Sequence, residues 1–217
     1  MRWTFAFLVA AAIAAPRAHA AGAGASAPSS ARVAAAPVAT RTLVARLEKS
    51  GRGEVRLTQT TPDPTGGPAR VDRGTLALEP PDRARIEYPG TGETLTARAD
   101  GGEWLQPAAR QMLRLRPEQA AEAARIWAIL VGGGDAFVER KLGARRYALL
   151  PREPGAAAVD SAWIEVDAAG LPTRADLFSE ALGKVTVVFA GWTFGRPRGD
   201  TAFRLSAPEG FEVIAFP

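Results

Sequence analysis

Chemistry at a protein site needs a nucleophile, a proton carrier, a metal ligand or a shaped apolar surface, and this chain is poor in the first three. It has no cysteine, and its one histidine is His19. Thiolate nucleophiles, disulfides and zinc-cysteine sites are therefore excluded, as is acylation of an N-terminal cysteine. His19 lies in a segment expected to be removed, so no Ser-His or Cys-His triad and no imidazole ligand set is expected. Lys49, Lys141 and Lys184 are the only lysines, and none stands in an S-x-x-K setting. Carboxylate pairs remain. The reading is a protein that is not an enzyme and that uses no metal and no cofactor. What remains is apolar surface, set out with strong periodicity.

The elements that could shape such a surface begin after an export segment. Met1-Arg2 is a short positive start, Trp3 to Ala15 is an apolar run broken by Pro16, and Ala18-His19-Ala20 fits the small-x-small pattern for cleavage after Ala20. The run is shorter than the ~18 residues that span a bilayer. Residues 1–20 are expected to be a signal peptide and the protein to reach the periplasm. Residues 21–39 are nearly all Ala, Gly, Ser and Pro, with Arg32 the only charge. Side chains that small offset little ordering entropy, so a flexible leader is expected there. Residues 40–217 are expected to form a single domain, a length ample for one core.

Within that domain, Thr40 to Ser50 predicts a helix with Leu43, Val44 and Leu47 on one face and Gly51 as its stop. From Gly53 the period switches to two. Short strands are predicted around Val55–Leu57, Gly74–Leu78, Arg83–Tyr88, Thr94–Ala99, Trp104–Leu105 and Gln111–Leu115, with turns rich in Pro, Gly and Asp between them. Pro117 to Val131 predicts a second helix. It has Pro at its first position, acidic residues early, Ala120, Ala124, Trp127 and Leu130 on one face, and Gly132-Gly133-Gly134 as its end. Strands then resume at Phe137–Leu142, Arg146–Leu150, Ala162–Val166, Thr173–Phe178, Val185–Phe189, Thr201–Ser206 and Phe211–Phe216. Strict alternation from Val185 puts Val188, Ala190 and Trp192 together on the opposite side from Val187 and Phe189.

This inventory predicts a mainly β fold: a strongly curved antiparallel sheet, a half-open barrel capped by short helices. Two helices are too few to clothe a flat sheet of that size. An apolar cavity fits the pattern, and a closed barrel with a packed interior gives the same alternation. The net charge of +4 falls to +2 once Arg2 and Arg17 leave with the signal peptide. Arginines alternate with Asp and Glu along the chain, so no nucleic-acid partner is expected.

Several runs carry a family resemblance. Gly74-Thr75-Leu76-Ala77-Leu78-Glu79-Pro80-Pro81-Asp82-Arg83-Ala84-Arg85-Ile86-Glu87-Tyr88 resembles a Gly-x-Leu strand, proline turn and Arg-aromatic-Glu-Tyr strand of LolA, the periplasmic outer-membrane lipoprotein carrier family. Asp100-Gly101 followed by Trp104 is similar to its Asp-Gly-Trp hairpin, and Gln59 stands where the family has a Phe-x-Gln strand end. Asp167 to Gly170, Gly183 to Phe189 and Pro208-Glu209-Gly210-Phe211-Glu212-Val213-Ile214 follow in the family's order. Pro80 replaces a frequent basic residue, Ile86 an aromatic and Leu57 a phenylalanine, as in a divergent member.

The resemblance implies a LolA/LolB-like fold and a carrier that hides the acyl chains of a lipoprotein or other lipid cargo and passes it toward the outer membrane. Expected partners are that acylated cargo, an inner-membrane transporter and an outer-membrane acceptor, with the carrier a monomer. The alternative is a lipid-binding accessory or regulatory protein on the same scaffold, dedicated to one biosynthetic or envelope-stress pathway. Each acyl CH2 hidden from water gains ~0.8 kcal/mol, so a bare chain does not cross an aqueous space. The candidate lipid-binding residues are Leu76, Leu78, Ile86, Tyr88, Trp104, Trp127 and Leu130, each of which ordinary core packing would equally bury. Arg83 and Arg85 are candidates for contact with a head group or a partner.

Overall fold

The computed structural model describes residues 38–63, 65–117, 119–120, 130, 137–152, 161–179 and 183–215. The expected signal peptide, most of the expected leader, and Trp127 lie outside the described residues. Among the described residues, one helix, α1 (Val38–Ser50), precedes twelve strands: β1 (Arg52–Thr61), β2 (Arg70–Glu79), β3 (Arg83–Tyr88), β4 (Glu93–Arg98), β5 (Gly101–Gln106), β6 (Gln111–Leu115), β7 (Phe137–Lys141), β8 (Arg146–Pro151), β9 (Ser161–Val166), β10 (Pro172–Ser179), β11 (Gly183–Gly195) and β12 (Glu212–Ala215). Pro117, Gln119, Ala120 and Leu130 are also helical, where the second helix is expected.

All twelve strands form one sheet, in the order β12-β6-β5-β4-β3-β2-β1-β11-β10-β9-β8-β7. The two end strands do not pair with each other, so the sheet is open. Neighbours are antiparallel except β12, which lies parallel to β6. Two runs of consecutive hairpins, β1 to β6 and β7 to β11, are thus joined through the single ladder between β1 and β11. Alternation gives the sheet one apolar face, here termed inner, because side chains two apart point the same way. Val55, Leu57, Leu76, Ile86, Ile164 and Val187 belong to one continuous buried core on it.

Helix α1 lies against β1, β11, β10 and β9. Its Leu43 and Leu47 are fully buried, each contributing ~1.5–3 kcal/mol of apolar burial. The helix starts at Val38, two residues before the expected position. Ala39 is buried, and its N–H donates to the Glu139 carboxylate at 3.1 Å. That bond ties the helix start to β7.

Two expectations are corrected by the structure. Thr201–Ser206 is not a strand, because Asp200–Phe203 forms a short 3-10 turn and the chain from Arg204 to Ser206 joins no ladder. Its polar groups find partners other than a ladder. Trp192 does not share a face with Val188 and Ala190. The β1–β11 register shifts between Glu54 and Arg56, with Glu54 opposite Thr193 and Arg56 opposite Ala190. This bulge, at Gly191 with φ 73°, inserts one residue and turns Trp192 inward. Its indole N–H donates to the Pro172 carbonyl at 2.8 Å.

The segment from Arg196 to Phe211 crosses the outer face of β1 to β5 as a strap before it ends in β12. Arg198 pairs with Glu54 at 2.9 Å, and its N–H donates to Glu79. Phe203 is buried under the strap, with the Arg83 guanidinium 5.8 Å from its ring centre. Arg98, buried on β4, donates to the Phe203 carbonyl and to both oxygens of Glu103, at 2.7 and 2.9 Å.

Candidate functional site

The inner face divides into two halves. Under α1 lie the apolar residues of β9, β10, β11 and β1. Beyond it, register alignment sets Val55, Leu76, Ile86, Leu95, Trp104, Leu113 and Ile214 in one row across seven strands. A second row of smaller side chains runs beside it: Leu78, Ala84, Ala97, Gly102 and Leu115. A side chain carried by every strand at the same level makes a band rather than a cluster, and a band can receive an extended chain.

The expected lining residues Leu76, Leu78, Ile86 and Trp104 therefore come together on adjacent strands, and Leu130 joins the same core. They are closed off from solvent, Ile86 being 3% exposed. Ala120 lies above β5, since a Cβ built on Gly102 would stand 3.4 Å from the Ala120 Cβ. Ala120 thus meets the face at β5, away from the strands β1, β9, β10 and β11 that α1 packs against.

Tyr88 marks one end of the band. Its ring lies across Gly74, where a Cβ would stand 3.0 Å from the ring and 2.3 Å from the Glu87 carbonyl oxygen. Only glycine leaves that space. The phenol reaches two strands further and donates to the Gln59 side-chain oxygen at 3.1 Å. Burial pushes the Tyr88 phenol well up from its usual range, with the charges of Asp72 and Glu93 adding to it. Glu93, opposite Tyr88 in the ladder, is raised by burial as well, while Arg70 and a hydrogen bond from Trp104 pull it down. Arg70 pairs with Asp72 at 2.7 Å. Apolar residues thus fill the middle of the face, and a polar group of Gln59, Asp72, Tyr88 and Glu93 closes one end.

Arg83 and Arg85 lie on the opposite face from this band. Arg85 bonds to Glu87 at 2.6 Å and to the Ala202 carbonyl at 2.7 Å. Arg83 stands 3.8 Å from Glu79 and over Phe203. Both guanidiniums are engaged with the strap.

Leu95 and Leu113 complete the row, yet they are absent from the expected lining. Their signal was present in the alternation of Thr94–Ala99 and Gln111–Leu115, but only the register shows that they flank Trp104. Among the described residues, no group of three or more His, Cys, Asp or Glu is placed to hold a metal ion.

No protein-family model and no curated protein matches the sequence. The solved chains it resembles include a LolA-type protein. A LolA superfamily protein from Nitrosomonas europaea aligns over 76% of this chain and 97% of its own, with 8% identity and a TM-score of 0.42. An uncharacterized conserved protein from Thermus thermophilus aligns over 83% and 100%, with 14% identity and a TM-score of 0.48. The lipoprotein LppX of Mycobacterium tuberculosis aligns over 71% and 92%, with 13% identity and a TM-score of 0.36. Identities and scores this low bear on neither activity nor cargo.

Proposed function

We propose that the protein is a periplasmic carrier, freed of residues 1–20, that shields the acyl chains of a lipoprotein or another lipid cargo and passes it toward the outer membrane. The observation that carries this reading is the apolar row from Leu76 through Ile86, Leu95 and Trp104 to Leu113, on the half of the inner face beyond α1. An inner-membrane transporter would load the carrier and an outer-membrane acceptor would unload it. Cargo enters by displacing Ala120 and Leu130 from the core, so its acyl chain takes over apolar contacts already present. That exchange keeps net affinity moderate and release feasible. Trp127 and Leu130 contact the acyl chain in this reading, and Tyr88 with Glu93 faces the polar end of the cargo.

The test uses protein recovered from the periplasm, expected by intact mass to begin at Ala21. A fluorescent long-chain fatty-acyl probe should form a soluble one-to-one complex with it and quench tryptophan emission. Ile86→Asp should abolish the complex, because desolvating a carboxylate costs several kcal/mol. Circular dichroism separates loss of the site from loss of the fold. A folded wild type that forms no complex with acyl probe or acylated lipoprotein ends the carrier reading.

A further inference from the structure

The outer face is used in two ways. Over β1 to β5 it is closed by the strap; over β7 to β11 it carries a different surface. There the ladder sets Val138 beside Leu150, and both remain exposed, at 45% and 41%. Trp163 and Phe178 meet edge-on on the same face with centroids 4.9 Å apart, and both are half-buried. Arg146 lies 4.6 Å from the Trp163 ring, and Lys184 lies 6.0 Å from that of Phe178. Arg140 and Arg174 share this face, since Arg140 pairs with Ala148 and Arg174 with Glu165. The carboxylates among them are Glu165 and Asp176. Burial raises Asp176, but hydrogen bonds from Arg174, Thr186 and Lys184 outweigh that and hold it below its usual range.

Four cations against two carboxylates is a local excess that the near-neutral whole does not suggest. It is interleaved with two aromatic rings and two exposed aliphatic side chains. Cations alone would suit any polyanion. Aromatic and aliphatic groups between them suit a surface with an anionic outer layer and an apolar layer beneath.

We propose that the outer face of β7 to β11 docks on an anionic lipid bilayer surface. The four cations meet the head groups, and Val138, Leu150, Trp163 and Phe178 sit at the boundary with the acyl region. Docking through this face leaves the inner face of the sheet turned away from the bilayer. This inference stands apart from the cargo reading, because it concerns the empty protein and the opposite face.

The experiment is co-sedimentation of the protein recovered from the periplasm with vesicles of phosphatidylcholine, with and without phosphatidylglycerol. Binding is expected only to the phosphatidylglycerol vesicles, and should weaken as added salt screens the charges. Arg140→Glu, at an exposed site, removes one cation and adds an anion, and should lower the partition coefficient roughly 30-fold. Leu150→Ser should weaken binding while leaving its salt dependence unchanged. Both variants should bind a fluorescent acyl probe as the wild type does, so failure here is separable from failure of the cargo reading. Equal binding to both vesicle types would overturn the proposal. So would absence of vesicle binding together with a concentration-dependent dimer through this face, or with retention on DNA alone.

Discussion

Replacing Glu103 by Gln should loosen the strap and cost a defined share of stability. Glu103 accepts two hydrogen bonds from Arg98, one from Thr96 at 2.8 Å and one from the Leu205 N–H at 3.4 Å. Arg98 is 6% exposed at its side chain, so its charge has little access to water. Removing one partner of such a buried pair costs ~3–5 kcal/mol. Arg98 keeps Asp100 at 2.9 Å, and Gln retains one acceptor, so ~2–3 kcal/mol is expected here. For a domain of this size that lowers the melting temperature by about 5–10 °C. The direction with pH also follows. Burial raises Glu103, but hydrogen bonds from Arg98 and Thr96 outweigh it and hold its pKa below the ordinary value. A depressed carboxylate stabilises the fold above its unfolded pKa, and the contribution fades as pH falls from there through the folded pKa. Thermal unfolding of wild type and Glu103→Gln should therefore differ at neutral pH and converge in acid. In parallel, trypsin should reach Arg198 and Arg204 sooner in the variant. A variant that melts within 2 °C of wild type, as a rough threshold for less than about 1 kcal/mol, with no faster cleavage, would refute the lock.

Two further outcomes follow from the inner face. Glu93 has a raised folded pKa, so its ionised form weakens the fold above that pKa, and protonation relieves the cost as pH falls through it. Glu93→Gln should accordingly raise the melting temperature at neutral pH and not in acid; a lower melting temperature at neutral pH would show that its contact with Trp104 outweighs burial. Gly74→Ala places a Cβ 2.3 Å from the Glu87 carbonyl oxygen. Relief of that clash requires backbone movement, with a cost of ~1–3 kcal/mol, and urea unfolding should show it; unchanged stability would mean that β2 and β3 separate without penalty.

Much of the sheet was legible because its turns are chemically marked. Pro80-Pro81-Asp82 and Asp100-Gly101 separate runs whose alternation shows directly, and strands β3 to β6 begin and end close to where those signals put them. The β2 strand extends back to Arg70 because Arg70 to Arg73 pairs with Thr58 to Thr61, a stretch with no apolar stripe to announce it. The bulge at Gly191 was illegible, since one inserted residue leaves composition untouched while reversing the face of Trp192. Thr201–Ser206, part of the strap, looks like a strand in sequence because Phe203 and Leu205 alternate with polar residues, although their backbone groups bond to side chains of β4 and β5. The candidate site shows the same limit. Leu76, Ile86 and Trp104 were visible as stripes within their own strands, whereas the band needed the register. Arginines that alternate with acids along the chain collect on one face only when β7 to β11 are laid side by side.

The strand order also sets a schedule. β1 is the first strand of the sheet to be made, and one neighbour, β2, follows it at once. Its other neighbour, β11, is nearly the last. Until then β1 has a bare edge, a template for pairing with foreign strands. Arg52, Glu54 and Arg56 alternate along that edge, and charges there discourage such pairing. The ladder from Leu57–Phe189 to Thr60–Thr186 unites the two hairpin runs, so the sheet cannot assemble as a whole until nearly all of the chain has been delivered. Under the export proposed above, that delay would help, because a sheet that completes late does not jam the passage of an unfolded chain.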